Sequence, residues 1–362
     1  MNSPITASLD LLSSTQEVEA ELSKLLAQRT LRAAAYGTHF SELWNLASGR
    51  VLGGKMVRPR LLLGAFDALT SAQGGGPVFR DSAFRIAAAI ELLHYSFLLH
   101  DDVIVGDLTR RGRPNLIGSI LQSRELHSPK DLHWARTGGI LMGDLMLSLT
   151  HQVFAREPLP EALRTQLLDL LDHTITESVV GEHLDVGLSD SVIPADLTTV
   201  LSMSRFKTAT YTFELPLKAA SILAGSSSRA EGPTGEIGRH LGVACQLQDD
   251  LLSTFGDPRE HGKDAFSDLR EGKETAIIAY ARMTSAWPSI EPDFGNPELS
   301  DSAARHIQRL LSQCGAEQFI RSLIDDQLRA CFNVMASPES RVPSQLARLI
   351  SGIATSLEDR RS

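Results

Sequence analysis

The chain has 362 residues, of which 42% are hydrophobic, and carries a formal net charge of −9 at pH 7. That charge argues against general nucleic-acid binding, which needs a basic surface to neutralise phosphates. The three cysteines are odd in number and lack metal-ligand spacing, so they indicate neither a disulfide framework nor a metal site. No segment approaches the ~18 consecutive apolar residues of a membrane span, and the N-terminus lacks a signal-peptide pattern. We therefore expect a soluble cytoplasmic protein without stable membrane insertion.

Apolar residues recur at three- and four-residue spacing along most of the chain, which predicts helices. Alternating strand patterns bounded by hairpin-turn residues are missing. Clusters of Pro and Gly predict loops at 71–77, 127–130, 156–160, 226–235, 285–298 and 336–343. We expect an all-α protein, a single large bundle of ten or more helices over residues 1–362, with residues 1–15 flexible. Ligand sites in such bundles form in a central cavity, from side chains on facing helices.

The first carboxylate pair, Asp101 and Asp102, ends the apolar helix pattern AAAIELLHYSFLLH. Carboxylates there are costly to bury unless a cation lies on them. Oxygen ligands without nearby His or Cys suit Mg2+, which often binds through one or two carboxylates plus substrate phosphates. The following TRRGRP supplies Arg110, Arg111 and Arg113, whose forked guanidinium groups match phosphate oxygens. A solvated helix end with mutual salt bridges explains this stretch alone equally well.

A second carboxylate pair repeats this design later in the chain. Asp249 and Asp250 lie in the apolar helix pattern LGVACQLQDDLLSTF, and the polar loop after it carries Lys263 and Lys273. One pair is a weak signal, whereas two pairs followed by basic residues indicate a two-walled clamp for magnesium and diphosphate. Between the pairs, KTATYTFELP contains Pro216, which predicts a kink in that helix.

Ordered blocks of this sequence resemble the trans-isoprenyl diphosphate synthases, or polyprenyl synthetases, over roughly residues 53–275. The blocks are GGKMVRP (53–59), ELLHYSFLLHDD (91–102), TRRGRP (109–114), GEHLDV (181–186), RFKTATYTFELPL (205–217) and QLQDD (246–250). The resemblance implies an isoprenoid-synthase fold and a Mg2+-dependent prenyltransferase. Such an enzyme condenses isopentenyl diphosphate with an allylic diphosphate to a short-chain all-trans prenyl diphosphate. It further implies three magnesium ions per active site and a homodimer.

Family position implies which residues hold the metal and the allylic substrate. The implied magnesium ligands are Asp101, Asp102 and Asp249, with Asp250 in a bridging or indirect role. The implied contacts to the allylic diphosphate are Arg110, Lys207, Thr208, Gln246, Lys263 and, more distantly, Lys273. The residues implied in catalysis itself are Asp101, Asp102, Lys207, Thr208, Gln246 and Asp249.

Isopentenyl diphosphate needs a separate basic pocket without metal. By family position this pocket comprises Gly54, Lys55, Arg58, His94 and Arg111. Gly54 and the glycine before it permit close backbone approach, which suits phosphate binding.

Chain length is set in this family by side chains below the first motif. Phe97 lies four residues before Asp101, about one helical turn down on the same face. Ser96 is small where enzymes that make farnesyl diphosphate often carry an aromatic residue, which favours a deeper pocket. We therefore expect a C20 product, geranylgeranyl diphosphate, although ordinary core packing explains Phe97 nearly as well.

The sequence departs from the family pattern at a few positions. Val105 replaces the third aspartate of the first motif, and Ser253 replaces that of the second. Residues i and i+4 share a helix face, so the usual third aspartate joins the first in chelation, whereas valine cannot. If Gly106 ends the helix, Asp107 folds back as a substitute ligand. Glu182 stands where the family usually has glutamine.

Two other functions compete with the active elongase. A terpene cyclase on the same scaffold would ionise a prenyl diphosphate without condensing it, and the basic isopentenyl diphosphate pocket argues against it. A non-catalytic or weakly active partner subunit of a heteromeric synthase is supported by Val105. Retention of Lys207, Gln246, Asp249 and Lys263 argues against that reading.

Overall fold

A computed structural model describes residues 15–72, 78–110, 112–124, 128–225, 228–256 and 266–358. Its Cα positions divide into two compact units. The N-terminal unit comprises residues 15–170 and Ala219–Gly225, and the C-terminal unit comprises Leu171–Lys218 and residues 228–358. The single domain over 1–362 stays a prediction. Residues 1–14, nearly all of the segment predicted to be flexible, lie outside the described residues.

The N-terminal unit is built mainly from helices. Its elements are α1 (Thr15–Ala33), a 3-10 turn (Ala34–Tyr36), α2 (Thr38–Ser48), α3 (Val57–Ala72), α4 (Arg80–Val105), β1 (Thr109–Arg110), β2 (Arg113–Pro114), α5 (Leu116–Ser123) and α6 (Pro129–Arg156). Helix α6 begins at a capping box, in which Ser128 and Asp131 satisfy each other's backbone N–H groups and Pro129 occupies the first turn.

Helix α4 is the core helix of the N-terminal unit, and it packs against α1, α3 and α6. Four consecutive residues, Ala87 to Ile90, are fully buried, so the helix is covered on every side. It is the one helix in the described ranges that is long and apolar enough to cross a membrane, yet 72% of its apolar window is buried. This burial is typical of a core helix.

The C-terminal unit follows from within α7. Its elements are α7 (Glu161–Ser189), α8 (Leu197–Ser204), a π-helix (Arg205–Glu214), α9 (Leu215–Leu223), α10 (Ser228–Phe255), α11 (Ser267–Glu271), α12 (Ala276–Arg282), α13 (Trp287–Ile290), a 3-10 turn (Glu291–Asp293), α14 (Asp301–Gln313), α15 (Ala316–Ala336) and α16 (Ser344–Glu358). Residues 161–170 of α7 and 219–223 of α9 belong to the N-terminal unit. Helix α10 packs against both α15 and the π-helix.

The predicted all-α class is confirmed, since strand structure in the described residues is limited to β1 and β2. These form an antiparallel ribbon with Thr109 opposite Pro114 and Arg110 opposite Arg113. Sequence analysis missed this ribbon because it is only two residues long on each side. Its turn contains Gly112 at φ +71°, a conformation that glycine adopts without strain.

The irregularity predicted at Pro216 lies earlier than expected, in the π-helix over Arg205–Glu214. Proline lacks a backbone N–H, so the α-helical bond from position 216 cannot form. The preceding residue, Leu215, donates its N–H to the Thr210 carbonyl five residues back. Most π-helices are single turns, and they are frequent at functional sites. A π-helix of ten residues therefore indicates that this segment belongs to a candidate functional site.

Candidate active site

The first carboxylate pair lies in the last turn of α4, and one arginine binds both of its members. Arg110 Nη2 donates to Asp101 Oδ2 at 2.7 Å and to Asp102 Oδ1 at 2.6 Å, and Arg110 Nε donates to Asp102 Oδ1 at 2.9 Å. Asp102 is only 4% exposed. Burial raises the pKa of the Asp102 carboxyl group, while the charge of Arg110 opposes that rise. Arg110 thus supplies the cation that this buried carboxylate needs.

The loop after α4 is fixed by a glycine and an asparagine. Gly106 caps the helix at φ +87°, and its N–H donates to the Asp102 carbonyl. Asn115 Nδ2 donates to the Asp107 carbonyl at 2.7 Å, and Asn115 Oδ1 caps α5 by accepting from the Gly118 N–H. Together they hold the ends of the segment that carries β1, from which Arg110 reaches back to the carboxylates.

Helix α4 therefore ends just before Gly106, as the folding back of Asp107 toward Asp101 would require. Val105 is its last residue and its side chain is 56% exposed. Asp107 follows the cap and is exposed. Its role as a magnesium ligand stays a prediction.

The predicted isopentenyl diphosphate pocket falls on the start of α3 and on α4, which pack together. Lys55 is exposed, whereas Arg58 and His94 are partly buried. A Cβ on Gly54 would lie 3.3 Å from Glu91 Oε1, so the glycine loop touches α4 one turn before His94. Sequence analysis missed Glu91, which is 6% exposed and lies beside this loop. Arg111, the fifth residue of this set, lies outside the described residues.

The two predicted chain-length positions differ in environment. Ser96 is fully buried and its hydroxyl donates to the Gly143 carbonyl of α6 at 2.9 Å, so it lies in the contact between the two helices. Phe97 is partly buried. Its role as a floor of the substrate pocket stays a prediction.

The second carboxylate pair lies near the end of α10, and its members differ in exposure. Asp249 is exposed, whereas Asp250 is 3% exposed and accepts a hydrogen bond from Gln246 Nε2 at 2.8 Å. Burial raises the pKa of Asp250 to about 6, although the charge of Lys273 opposes the rise. The exposed member thus faces solvent, whereas the buried one is held by the amide of Gln246 rather than by an arginine.

Lys273 is the cation of this second cluster. Burial acts to lower its pKa, but the negative charges of Asp250, Asp268 and Asp185 outweigh that effect and raise the pKa above its ordinary value. Lys273 is therefore a fixed positive charge at neutral pH. Lys263, predicted to contact the allylic diphosphate, lies outside the described residues.

Lys207 lies in the π-helix and binds two carboxylates of α7. Its Nζ donates to Asp185 Oδ2 at 2.6 Å and lies 2.9 Å from Glu182 Oε2. Sequence analysis assigned no role to Asp185, although the three-residue spacing in GEHLDV places both acids on one face of α7. Thr208, the next residue in the π-helix, is partly buried.

The π-helix packs tightly against its neighbours at three glycines. A Cβ on Gly181 of α7 would overlap the backbone nitrogen of Lys207. On α10, a Cβ at Gly238 would lie 2.7 Å from Glu214 Cα, and one at Gly242 would lie 2.5 Å from Ala209 Cβ. Real Cβ atoms do not approach this closely, so these glycines permit the backbone of the π-helix to sit where it does.

The oxygen ligands of both clusters suit a magnesium ion. In the second cluster, the buried atoms Asp185 Oδ1 and Asp268 Oδ2 receive no hydrogen bond from the described residues, so both can accept one from a metal-bound water. Within those same residues no three His, Cys, Asp or Glu side chains form a group that could hold a metal ion. Mg2+ often binds through only one or two carboxylates, with substrate phosphates and water completing its shell.

Comparisons with known proteins support the resemblance. The family model for polyprenyl synthetase matches residues 42–292. The chain is 29% identical over 297 residues to a geranylfarnesyl diphosphate synthase of Aeropyrum pernix, covering 81% of this chain and 85% of the relative. It is 28% identical over 271 residues to a geranylgeranyl diphosphate synthase of Methanosarcina mazei, covering 75% and 76%.

A solved structure of similar fold is the geranylgeranyl pyrophosphate synthase of Corynebacterium glutamicum, complexed with isoprenyl diphosphate and magnesium. The superposition has a TM-score of 0.83 at 27% sequence identity and covers 94% of this chain and 97% of that one. The relatives differ in the product length that their names give, so likeness to them leaves the product of this chain open.

Proposed function

The chain belongs to the polyprenyl synthetase family, and from this premise we propose that it is a Mg2+-dependent prenyltransferase condensing isopentenyl diphosphate with an allylic diphosphate. The observation that carries the proposal is the binding of Asp101 and Asp102 by Arg110. It places paired oxygen ligands and a phosphate-matching fork together, as the ionisation of a diphosphate ester requires.

The chain's own residues provide the binding and positioning for this reaction. Arg110 and Lys207 bind the allylic diphosphate, Thr208 and Gln246 assist, and Lys273 adds positive charge. The bond from the allylic carbon to diphosphate oxygen breaks, and the electron pair leaves with the diphosphate. The double bond of isopentenyl diphosphate then attacks the allylic carbon, and a proton is lost.

Asp101, Asp102 and Asp249 would hold magnesium, with Asp250 as a bridging or indirect contributor and three ions in the loaded site. When bound, the metal neutralises the charge that accumulates on the departing diphosphate. We propose that both carboxylate pairs contribute to the binding of magnesium and diphosphate. Isopentenyl diphosphate would bind at Lys55, Arg58 and His94.

We propose geranylgeranyl diphosphate, C20, as the product. Ser96 is small and its hydroxyl binds Gly143 of α6, so it adds no bulk toward a substrate chain. Phe97 would then limit the depth of the pocket.

We propose that the enzyme is a cytoplasmic homodimer. Trp134, Leu141 and Leu145 of α6 are 53%, 52% and 37% exposed. Their spacing places them on one face of the helix, which a second copy would cover. Leu141→Asp should shift the mass measured by light scattering from that of two chains to that of one.

An activity assay tests the main proposal. Purified protein is incubated with Mg2+, isopentenyl diphosphate and, in turn, the C5, C10 and C15 allylic diphosphates, and products are separated by chain length. We expect elongated diphosphates that end at C20. The second candidate, a partner subunit, is favoured by the exposed Val105. It predicts no turnover alone but an altered product when the protein is mixed with an active homologue.

A further inference from the structure

The ammonium group of Lys207 already has two anionic partners in the structure. Glu182 and Asp185 lie 2.9 and 2.6 Å from its Nζ, and all three side chains are at most 25% exposed. One positive charge therefore lies against two negative ones. A diphosphate that binds Lys207 must displace or oppose a carboxylate that is already bound there.

The backbone around Lys207 is packed closely against α7 and α10. Gly181 of α7 lies against the backbone nitrogen of Lys207. Gly242 of α10 lies against Ala209, two residues further along the π-helix. The contacts of Lys207 with Glu182 and Asp185 are made by side chains, so we treat the competition at Lys207 as one between side chains and the diphosphate. The ammonium group will bind the anion, carboxylate or diphosphate, whose binding there costs less free energy.

Of the two carboxylates, Glu182 is the one whose charge we expect to affect the binding of a diphosphate to Lys207. Asp185 is the closer and more buried of the two, and its charge also acts on Lys273, so it belongs to the acid–base cluster of the C-terminal unit. Glu182 has the longer and more exposed side chain, which can withdraw. Glutamine at this position would have nearly the same shape but no charge.

We propose that Glu182 competes with the allylic diphosphate for Lys207 and thereby weakens the enzyme's hold on that substrate and on its own product. The inference rests on the proposed function. The product of each condensation is itself an allylic diphosphate, so it is held by the same ammonium group. A weaker hold favours release over another round of elongation, which makes Glu182 a positioning residue that also influences product length.

Glu182→Gln tests the inference because it removes the charge and keeps the shape. We expect the KM for the C15 allylic diphosphate to fall about three- to tenfold, with kcat and the KM for isopentenyl diphosphate changing less than twofold. Calorimetry with inorganic pyrophosphate and Mg2+ should show tighter binding by a similar factor, and the product distribution should move toward longer chains. Glu182→Ala should change the KM in the same direction.

Glu177→Gln is the matched control. Glu177 lies on the same helix and accepts a hydrogen bond from Thr210 of the π-helix at 2.7 Å, but Lys207 is not among its partners. We expect its KM values to stay within twofold of the parent. An unchanged or higher allylic KM in both Glu182 variants, with an active parent, overturns the role of Glu182. An inactive parent instead contradicts the proposed function, and pyrophosphate binding would still decide the competition at Lys207.

Discussion

The two carboxylate pairs share one sequence motif but differ in how their charge is balanced. Asp101 and Asp102 share a single arginine fork, delivered by a ribbon eight residues further along the chain. Asp249 is exposed. Asp250 is held by the side-chain amide of Gln246 and by the charge of Lys273, which lies 23 residues further along the chain. The charge of the first pair is thus neutralised by one arginine close in the chain, whereas the charge of the second pair is balanced by a lysine further along it. Identical dipeptides therefore predict a site without predicting the role of each carboxylate.

The sharpest test of this difference removes the ligands themselves. Asp101→Ala and Asp249→Ala should each lower kcat by about a hundredfold or more, because metal-assisted charge stabilisation supplies several kcal/mol. Circular dichroism and melting temperature should stay close to those of the parent. Near-normal turnover in either variant would remove that residue from the metal site.

Loss of Arg110 should affect the first pair in two ways. Arg110→Ala leaves Asp102 buried without its fork, so we expect unfolding to become easier by about 1–3 kcal/mol. The KM for the allylic diphosphate should rise about tenfold or more, as steady-state kinetics would measure. Arg113→Ala is the control, because Arg113 lies opposite on the same ribbon and is exposed. Equal effects of both substitutions would contradict the special role of Arg110.

The departure at Val105 can be tested in both directions. Val105→Asp restores a carboxylate one turn from Asp101 and should lower the Mg2+ concentration for half-maximal rate several-fold. Asp107→Ala should raise that concentration or abolish turnover if Asp107 is the substitute ligand. Magnesium titrations of both variants and of the double variant measure the effect. An unchanged requirement in Asp107→Ala would leave water as the replacement.

The smallest expected effect concerns the protonation of Asp250. Its pKa of about 6 lies above the ordinary value, so the folded protein binds this proton more tightly than the unfolded chain does. As pH falls from 7.5 through 6, Asp250 becomes neutral, and the Mg2+ requirement should rise a few-fold. Above that window its charge opposes folding of the metal-free protein. In Asp250→Asn the step near pH 6 should disappear from the magnesium titrations, and a step that persists would assign it to another group.

The fold class and the family were predictable from sequence, and both are confirmed. Helical periodicity identifies α4 and α10 because both bury long apolar stretches, and the ordered motif blocks specify the family. The sequence also indicated that Asp101 and Asp102 need a cation, and the contact with Arg110 corresponds to the salt-bridge alternative for this helix end, whereas Arg110 itself was assigned to the allylic diphosphate. These features depend on residues that are close in the chain.

Two of the features that escaped prediction depend on residues that are far apart in the chain. Pro216 indicated a break in its helix, but the π-helix also requires glycines of α7 and α10 that no local pattern connects with it. The partner of Glu182 is 25 residues away, so a charge at that position could be noticed but not assigned. The short ribbon that carries Arg110 is too small to leave a periodic signal.

The π-helix also has a consequence for insertions and deletions. A π turn holds about one residue more than an α turn, and each residue of an α-helix advances the chain by about 100°. Removing a single residue between Lys207 and Glu214 would let about one turn of this segment wind as an ordinary α-helix. Lys207 would then swing around the axis by roughly a quarter turn or more, away from Asp185. A change in the length of this segment by one residue would therefore move Lys207 away from its carboxylate partners on α7.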